Sequence, residues 1–293
     1  MPHNDRRAFI LGISAVLLWS TAATAFKLAL AELSVAQLVA VAVLTSALVL
    51  LFVVALRGQL PELLRSLRRQ PLYFAGMGAL NPLAYYFILL AAYDRLPAQQ
   101  AQVINYSWAI MLALLSIPIL GQRLGPRDWL AVVLGYGGVL IIATEGAPLS
   151  LNFTDGPGVL LALASTLLWA VFWLLSARAR GDATLNLTGY FLCAAPLAVG
   201  LCLTIGGGVP GSLRGIAAGV YVGLFEMGVT WMLWAGALRS ASNASRVGNL
   251  IFLSPLLSLV LISQVLGEAI HPATLLGLAL IVPGIVLQQR GAA

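Results

Sequence analysis

Apolar residues follow one another along this chain in long continuous runs with short polar breaks, and they neither alternate nor recur at every third or fourth position. A bilayer core takes about 20 apolar residues per helix. Ten runs approach that length, at 8–30, 34–56, 71–93, 97–119, 127–144, 157–177, 186–206, 214–236, 243–265 and 271–289. Only helices and closed barrels satisfy their backbone polar groups in lipid, and barrel strands alternate over segments of roughly ten residues. The pattern therefore predicts an all-α membrane protein with ten transmembrane helices.

The runs of the second half echo those of the first. Leu17-Leu18-Trp19 returns as Leu167-Leu168-Trp169, 150 positions on. Leu120-Gly121-Gln122 before Pro126 returns as Leu266-Gly267-Glu268 before Pro272, and Gly138 maps onto Gly284 at the same offset of 146. Two five-helix repeats follow, residues 1–146 and 147–293. Five is odd, so the halves insert in opposite senses and the second is an inverted copy of the first. Secondary transporters share that architecture and bind substrate near the midplane between the halves.

Charge then fixes an orientation. With the N-terminus in the cytoplasm, the inner side collects Arg6, Arg7, Arg57, Arg65, Arg68, Arg69, Arg123, Arg127, Arg178, Arg180, Arg239, Arg246 and Arg290, and the outer side only Lys27, Arg95 and Arg214. Basic residues concentrate on cytoplasmic loops, so ten spans leave both termini cytoplasmic. The net charge of +6 is thereby a topology signal, with anionic lipid headgroups of the bilayer as sufficient partners and nucleic acid not called for. Arg6, Arg7 and the Ala23-Thr24-Ala25 triplet imitate a cleaved signal peptide, but the internal counterpart of this segment argues that it is retained. Composition agrees with a membrane protein: 60% of residues are hydrophobic and 9% charged, against about 25% charged in soluble domains.

The ten-helix layout, the Trp near the middle of runs 1 and 6, and the Leu-Gly-Glu before Pro272 with a glycine in the last helix together resemble the EamA family of the drug/metabolite transporter superfamily. The aromatic-lined segments are similar to the aromatic amino acid exporters within it. The resemblance implies a bacterial inner-membrane exporter of amino acids or other small metabolites, working as a monomer because one chain holds both halves. Gln122 departs from the pattern where the second half carries Glu268.

Glu226 is the acidic side chain near the centre of a span. An ionised carboxylate there costs about 2.5–3.5 kcal/mol on insertion scales, so it faces the bundle interior. It reads as a proton carrier or a partner for a substrate amine, or else as a hydrogen-bonded lock between helices. Aromatic residues form a second group. Helical spacing places Trp169 with Trp173 on one face, Glu226 with Thr230 and Trp234 on another, and Asn105 with Trp108 on a third, while Trp19 is the repeat partner of Trp169. Such rings suit flat or amphipathic solutes through stacking and cation–π contact, with ordinary packing as the competing reading. The amides Asn81, Gln102, Asn105 and Asn249 need partners in a dry interior. Asn81 falls opposite Glu226 when the repeat offset changes by one. Tyr85, Tyr86 and Tyr106 are candidates for the same cavity. The binding residues expected are Trp19, Asn81, Tyr86, Asn105, Trp108, Trp169, Trp173, Glu226, Thr230 and Trp234.

No enzyme is indicated. His3 and His271 lie near span ends, so no metal cluster or histidine-activated nucleophile assembles in the bilayer. There is no phosphate-cradling Gly-rich loop to power transport by ATP hydrolysis. Cys193 and Cys202 are nine residues apart on one helix, about 13 Å at 1.5 Å rise, too far to join. No cofactor is expected. The expectation is a secondary transporter exporting amino acids, aromatic and other neutral ones foremost, by alternating access, with protons as a candidate coupling ion. A multidrug or metabolite exporter of the same fold, or a facilitative pore, is the alternative.

Overall fold

The computed structural model describes residues 4–121, 125–149, 155–176, 178–179, 181–242 and 249–291. His3, Gln122, Arg123, Arg180, Arg246 and the first residues of the ninth run, 243–248, lie outside the described residues, as do the side chains of Asn249 and Arg290. Every regular element among the described residues is helical. We number them α1 (Asp5–Leu30), α2 (Val35–Leu56), α3 (Leu60–Arg69), α4 (Pro71–Arg95), α5 (Ala98–Ile119), α6 (Pro126–Ala143), α7 (Gly156–Ser176), α8 (Ala183–Thr204), α9 (Leu213–Ser240), α10 (Leu253–Leu266) and α11 (Pro272–Gly291). Eight of them, α1, α2 and α4 to α9, are long and apolar enough to cross a membrane, and α10 and α11 are shorter apolar helices. The protein is an all-helical membrane protein.

Most ends fall within three residues of the sequence reading, because the polar breaks carry real caps. Asn4 accepts a hydrogen bond from the Arg7 amide at the start of α1. Ser34 and Gln37 close a reciprocal capping box on α2, which satisfies two otherwise orphaned backbone donors. Gly121 and Gly267, at matching places in the repeat, both adopt left-handed backbone (φ +68° and +70°) where α5 and α10 stop, a conformation in which a Cβ is penalised. Two differences stand out. The stretch 60–69, a break between the second and third runs, is the helix α3, and the described part of the ninth run opens with a 3₁₀ turn at Asn249–Phe252 and continues as α10 from Leu253.

Two compact units emerge from the contacts, Met1–Leu83 with Arg180–Leu266, and Ala84–Ala179 with Gly267–Ala293. Each draws helices from both sequence repeats, so repeat and compact unit are different divisions of the chain. In the first unit α1 and α9 run antiparallel. The Asn4 amide donates to the Ser240 carbonyl at one end, and the Ser212 hydroxyl lies 2.7 Å from a Glu32 carboxylate oxygen at the other. α2 and α8 are antiparallel as well, tied by Ser34 to the Gly206 carbonyl (2.8 Å) and by Arg57 to the Thr184 hydroxyl (3.2 Å).

In the second unit α6 packs on α11 without side chains between the backbones. A Cβ at Gly138 would stand 2.6 Å from the Gly277 carbonyl oxygen, and one at Gly284 would stand 3.0 Å from that of Ala131. Subtracting the repeat offset of 146 carries Gly284 onto Gly138 and Gly277 onto Ala131, so the same contact is made twice. The pairing 138 with 277 and 131 with 284 also runs antiparallel, as inverted repeats require. An ion pair between Arg95 and Asp155 (3.0 Å) joins the end of α4 to the start of α7. That hydrogen-bonded guanidinium, with the Gly158 amide, holds the Asp155 carboxyl below its usual range.

Candidate functional site

α4 and α9 each carry a polar first-unit residue, Asn81 and Glu226, where regular α-helical bonding fails. In α4 the helix breaks within Ala79–Ala84: Asn81 takes an extended backbone (φ −148°, ψ 120°), and the next residue, Pro82, has no amide hydrogen to donate. In α9 a π turn occupies Val222–Glu226, with the Met227 amide bonded back five residues to the Val222 carbonyl (3.2 Å). Single π turns mark functional places in helices more often than elsewhere. Asn81 is buried and Glu226 half-buried.

A glycine precedes each of these residues by three positions. Gly78 lies against the backbone of Tyr190 and Ala194 on α8, and Gly223 lies against Ala42 and Thr45 on α2, where Ser46 also donates to the Gly223 carbonyl at 2.7 Å. Gly78 to Gly223 and Asn81 to Glu226 share an offset of 145. The third helix of each repeat thus presses the same backbone position onto the second helix of the other repeat.

The π turn changes what sits beside Glu226. Thr230, one ordinary turn further on, donates its hydroxyl to the Phe225 carbonyl. Trp234 packs on Trp19 with ring centroids 5.5 Å apart, and Trp231 meets Trp19 edge-on at 6.3 Å. Trp19 lies just before Thr21, where α1 is interrupted. The Thr21 hydroxyl is 2.8 Å from that of Tyr221, the residue preceding the π turn, so one side-chain bond joins the irregular points of α1 and α9. Beyond it, Thr24, Ala25, Leu28, Ala217, Ala218, Leu261 and Val265 help line an apolar cleft of about 400 Å³.

The second unit holds a larger aromatic set. Trp169 on α7 stacks on Tyr85 (4.4 Å, 30°) and meets Trp108 edge-on at 6.4 Å, Trp173 edge-on at 6.1 Å and Phe172 at 6.0 Å. Tyr86 is fully buried beside Tyr85, with rings 4.8 Å apart. The Asn105 amide donates to Ser165 (2.9 Å), and its oxygen faces the Tyr85 hydroxyl at 3.5 Å. α5 is interrupted at Ser107, so Asn105 and Trp108 belong to separate helical segments that both reach α7.

Of the ten residues expected from the sequence, Trp19 and Trp234 meet in the first unit. Trp169 with Trp108 and Trp173 meet in the second, where Asn105 and Tyr86 join them through Ser165 and Tyr85. Asn81, Glu226 and Thr230 also belong to the first unit, at or just after the irregular stretches of α4 and α9. Trp231, Ser165, Phe172 and Tyr85 join these sets without being among the ten. The signal for Trp231 was its place three residues before Trp234.

Glu268 has a structural task. Its carboxylate accepts from the backbone amides of Ala98 (3.0 Å) and Gln99 (3.4 Å), the open donors at the start of α5, where the helix dipole favours a negative group. Gln99 returns the contact, donating to the Ala269 carbonyl and accepting from His271 and Thr274.

Known proteins share this chain's length and fold. It is 25% identical to the aromatic amino acid exporter YddG of Ancylobacter novellus over 94% of this chain and 95% of the relative. The uncharacterized transporter YvbV of Bacillus subtilis is 26% identical over 74% of this chain and 71% of its own length, and the protein PecM of Dickeya dadantii is 26% identical over 73% and 72%. One crystal structure superposes with a TM-score of 0.68 at 24% identity, covering 99% of this chain and 98% of the other, a likeness of fold. The model of the EamA-like transporter family matches residues 6–144 and again 156–288. Covered twice along nearly its whole length, the chain belongs to the EamA-like transporter family and is a multi-pass membrane transporter.

Proposed function

We propose that this transporter exports amino acids, aromatic and other neutral ones foremost, or related small metabolites. It does so by alternating access across the bacterial inner membrane, with both termini cytoplasmic and the repeats 1–146 and 147–293 inserted in opposite senses. The observation that carries the reading is the Trp169 set: a stacked Tyr85, edge-on Trp108 and Trp173, and the Asn105 amide on Ser165 within the same unit. Rings of this kind hold a planar side chain by offset and edge contacts, while an amide and a hydroxyl offer partners to amino and carboxylate groups. Trp108, Trp169, Trp173, Tyr86 and Asn105 are its recognition residues. Asn81 and Glu226, on the two discontinuous spans, with Thr230, Trp19 and Trp234, form the part that changes between states, Glu226 exchanging a proton or meeting a substrate amine. The 25% identical relative named as an aromatic amino acid exporter supports the same substrate class.

A second reading, export of amphipathic organic cations, draws on Glu226 sharing α9 with Trp231 and Trp234. Counterflow in proteoliposomes separates the two: labelled Phe, Trp and Thr accumulate and a cationic dye does not if amino acids are the cargo, and the reverse holds for cation export. Accumulation against a gradient driven by an imposed pH difference excludes a facilitative pore.

A further inference from the structure

The helix α3 is not used by any of the above. It is ten residues long, opens with Pro61 in its first turn and ends on Arg68 and Arg69. Its leucines, Leu60, Leu63, Leu64 and Leu67, fall on one arc at 100° per residue, and Arg65, Arg68 and Arg69 fall on the remainder. Leu63 is buried against Val54 of α2 and Leu185 of α8, with Leu67 packed on the same cluster. The rest of the apolar arc is uncovered: Leu64 is 53% exposed and Leu60 37%. Leu56 and Leu72, at either side of the helix in sequence, are 72% and 87% exposed. Arg65, Arg68 and Arg69 are exposed and make no ion pair among the described residues. Glu62 is the helix's one acidic residue.

An exposed apolar edge beside three guanidiniums without a carboxylate partner, Arg65 donating its Nε to the Pro61 carbonyl (3.2 Å), at the end of a membrane span, has the composition of a helix lying in the bilayer interface. The apolar edge dips into the acyl boundary, and arginines reach the phosphate plane on their alkyl stems. We propose that α3 docks on the headgroups of anionic phospholipid in the protein's own membrane. Leu60 and Leu64 are its lipid-facing edge, Arg65, Arg68 and Arg69 its phosphate contacts, and Leu63 the anchor that transmits the docking to α2 and α8. The positive charge of the three arginines complements a diester phosphate, and guanidinium forks match phosphate oxygens bidentately.

Native mass spectrometry of the full chain in detergent tests this with phosphatidylglycerol and with phosphatidylcholine carrying the same acyl chains. The wild type retains phosphatidylglycerol and not phosphatidylcholine. Binding weakens about fivefold in R68Q and on the order of a hundredfold in R65Q/R68Q/R69Q, each basic residue near an anionic surface contributing a similar factor. The three side chains are exposed, so the melting temperature of the triple variant stays at the wild-type value; should it fall, R65K/R68K/R69K, which keeps the charge, must still bind. Equal retention of phosphatidylglycerol by the triple glutamine variant, equal binding of phosphatidylcholine, or displacement of the lipid by millimolar inorganic phosphate alone would each overturn the assignment.

Discussion

Asn81 on α4 and Glu226 on α9 hold matching places, each three residues past a glycine seated on the other repeat's second helix and each in a stretch where α-helical bonding fails. One side chain is an amide that stays neutral at every pH, and the other is a carboxyl group that can take up and release a proton. The backbone irregularity recurs in both repeats, whereas the side chain it carries differs. What the pair teaches is that the two repeats share a backbone irregularity at one place, while a titratable group sits on only one of the two.

The strongest way to break the comparison is to remove its shared part. Gly78→Leu and Gly223→Leu both drive a side chain into backbone that cannot yield, and each is expected to destabilise the protein by about 3 kcal/mol, read as a lowered melting temperature and lost monodisperse yield. Unequal losses would show that the two seats are not equivalent. Next comes the part that differs. Glu226→Gln, which makes α9 resemble α4, is expected to slow transport by about tenfold or more, or about 1.4 kcal/mol in the barrier, and to flatten its pH dependence. Asn81→Ser should cost about threefold, the size of an average interhelical hydrogen bond in a membrane, with the pH profile retained. Equal effects on the pH profile would remove the distinction.

The two aromatic sets sharpen the same contrast. Trp169→Ala should raise KM for tryptophan up to about tenfold, since one aromatic pair contributes roughly 0.5–1.5 kcal/mol beyond its buried area, and Trp19→Ala should change KM less while altering the maximal rate. A larger KM effect from Trp19 would transfer recognition to the first unit. The smallest expected effect belongs to Tyr221→Phe, which deletes the bond to Thr21 and should lower stability by about 1 kcal/mol, seen as a melting shift of a few degrees.

The spans were legible because hydropathy reports directly on the solvent around a helix, and the family resemblance followed from the repeated Trp and Leu-Gly-Glu positions. α3 was hidden because ten residues mixing four leucines with three arginines read equally well as a charged loop. Contacts around the broken helices were the hardest to foresee. Grouping Glu226 with Thr230 assumed 3.6 residues per turn, and the π turn breaks that assumption, leaving Thr230 bonded to the Phe225 carbonyl. Tyr86 looked equal to Tyr85 in sequence, and it is Tyr85 that stacks on Trp169 at 4.4 Å. The sequence left the acidic member of Leu-Gly-Glu without a task, and its oxygens accept from the open backbone amides of α5.

The doubled seat of α6 on α11 also has the symmetry of a dimer. Contacts in which Gly138 meets Gly277 while Ala131 meets Gly284 are those of a two-fold axis, the arrangement two identical chains adopt when they pair through one surface. Because one chain carries both copies, the contact forms as a folding step within a single molecule, and positions 81 and 226 can hold different residues, which two identical chains could not.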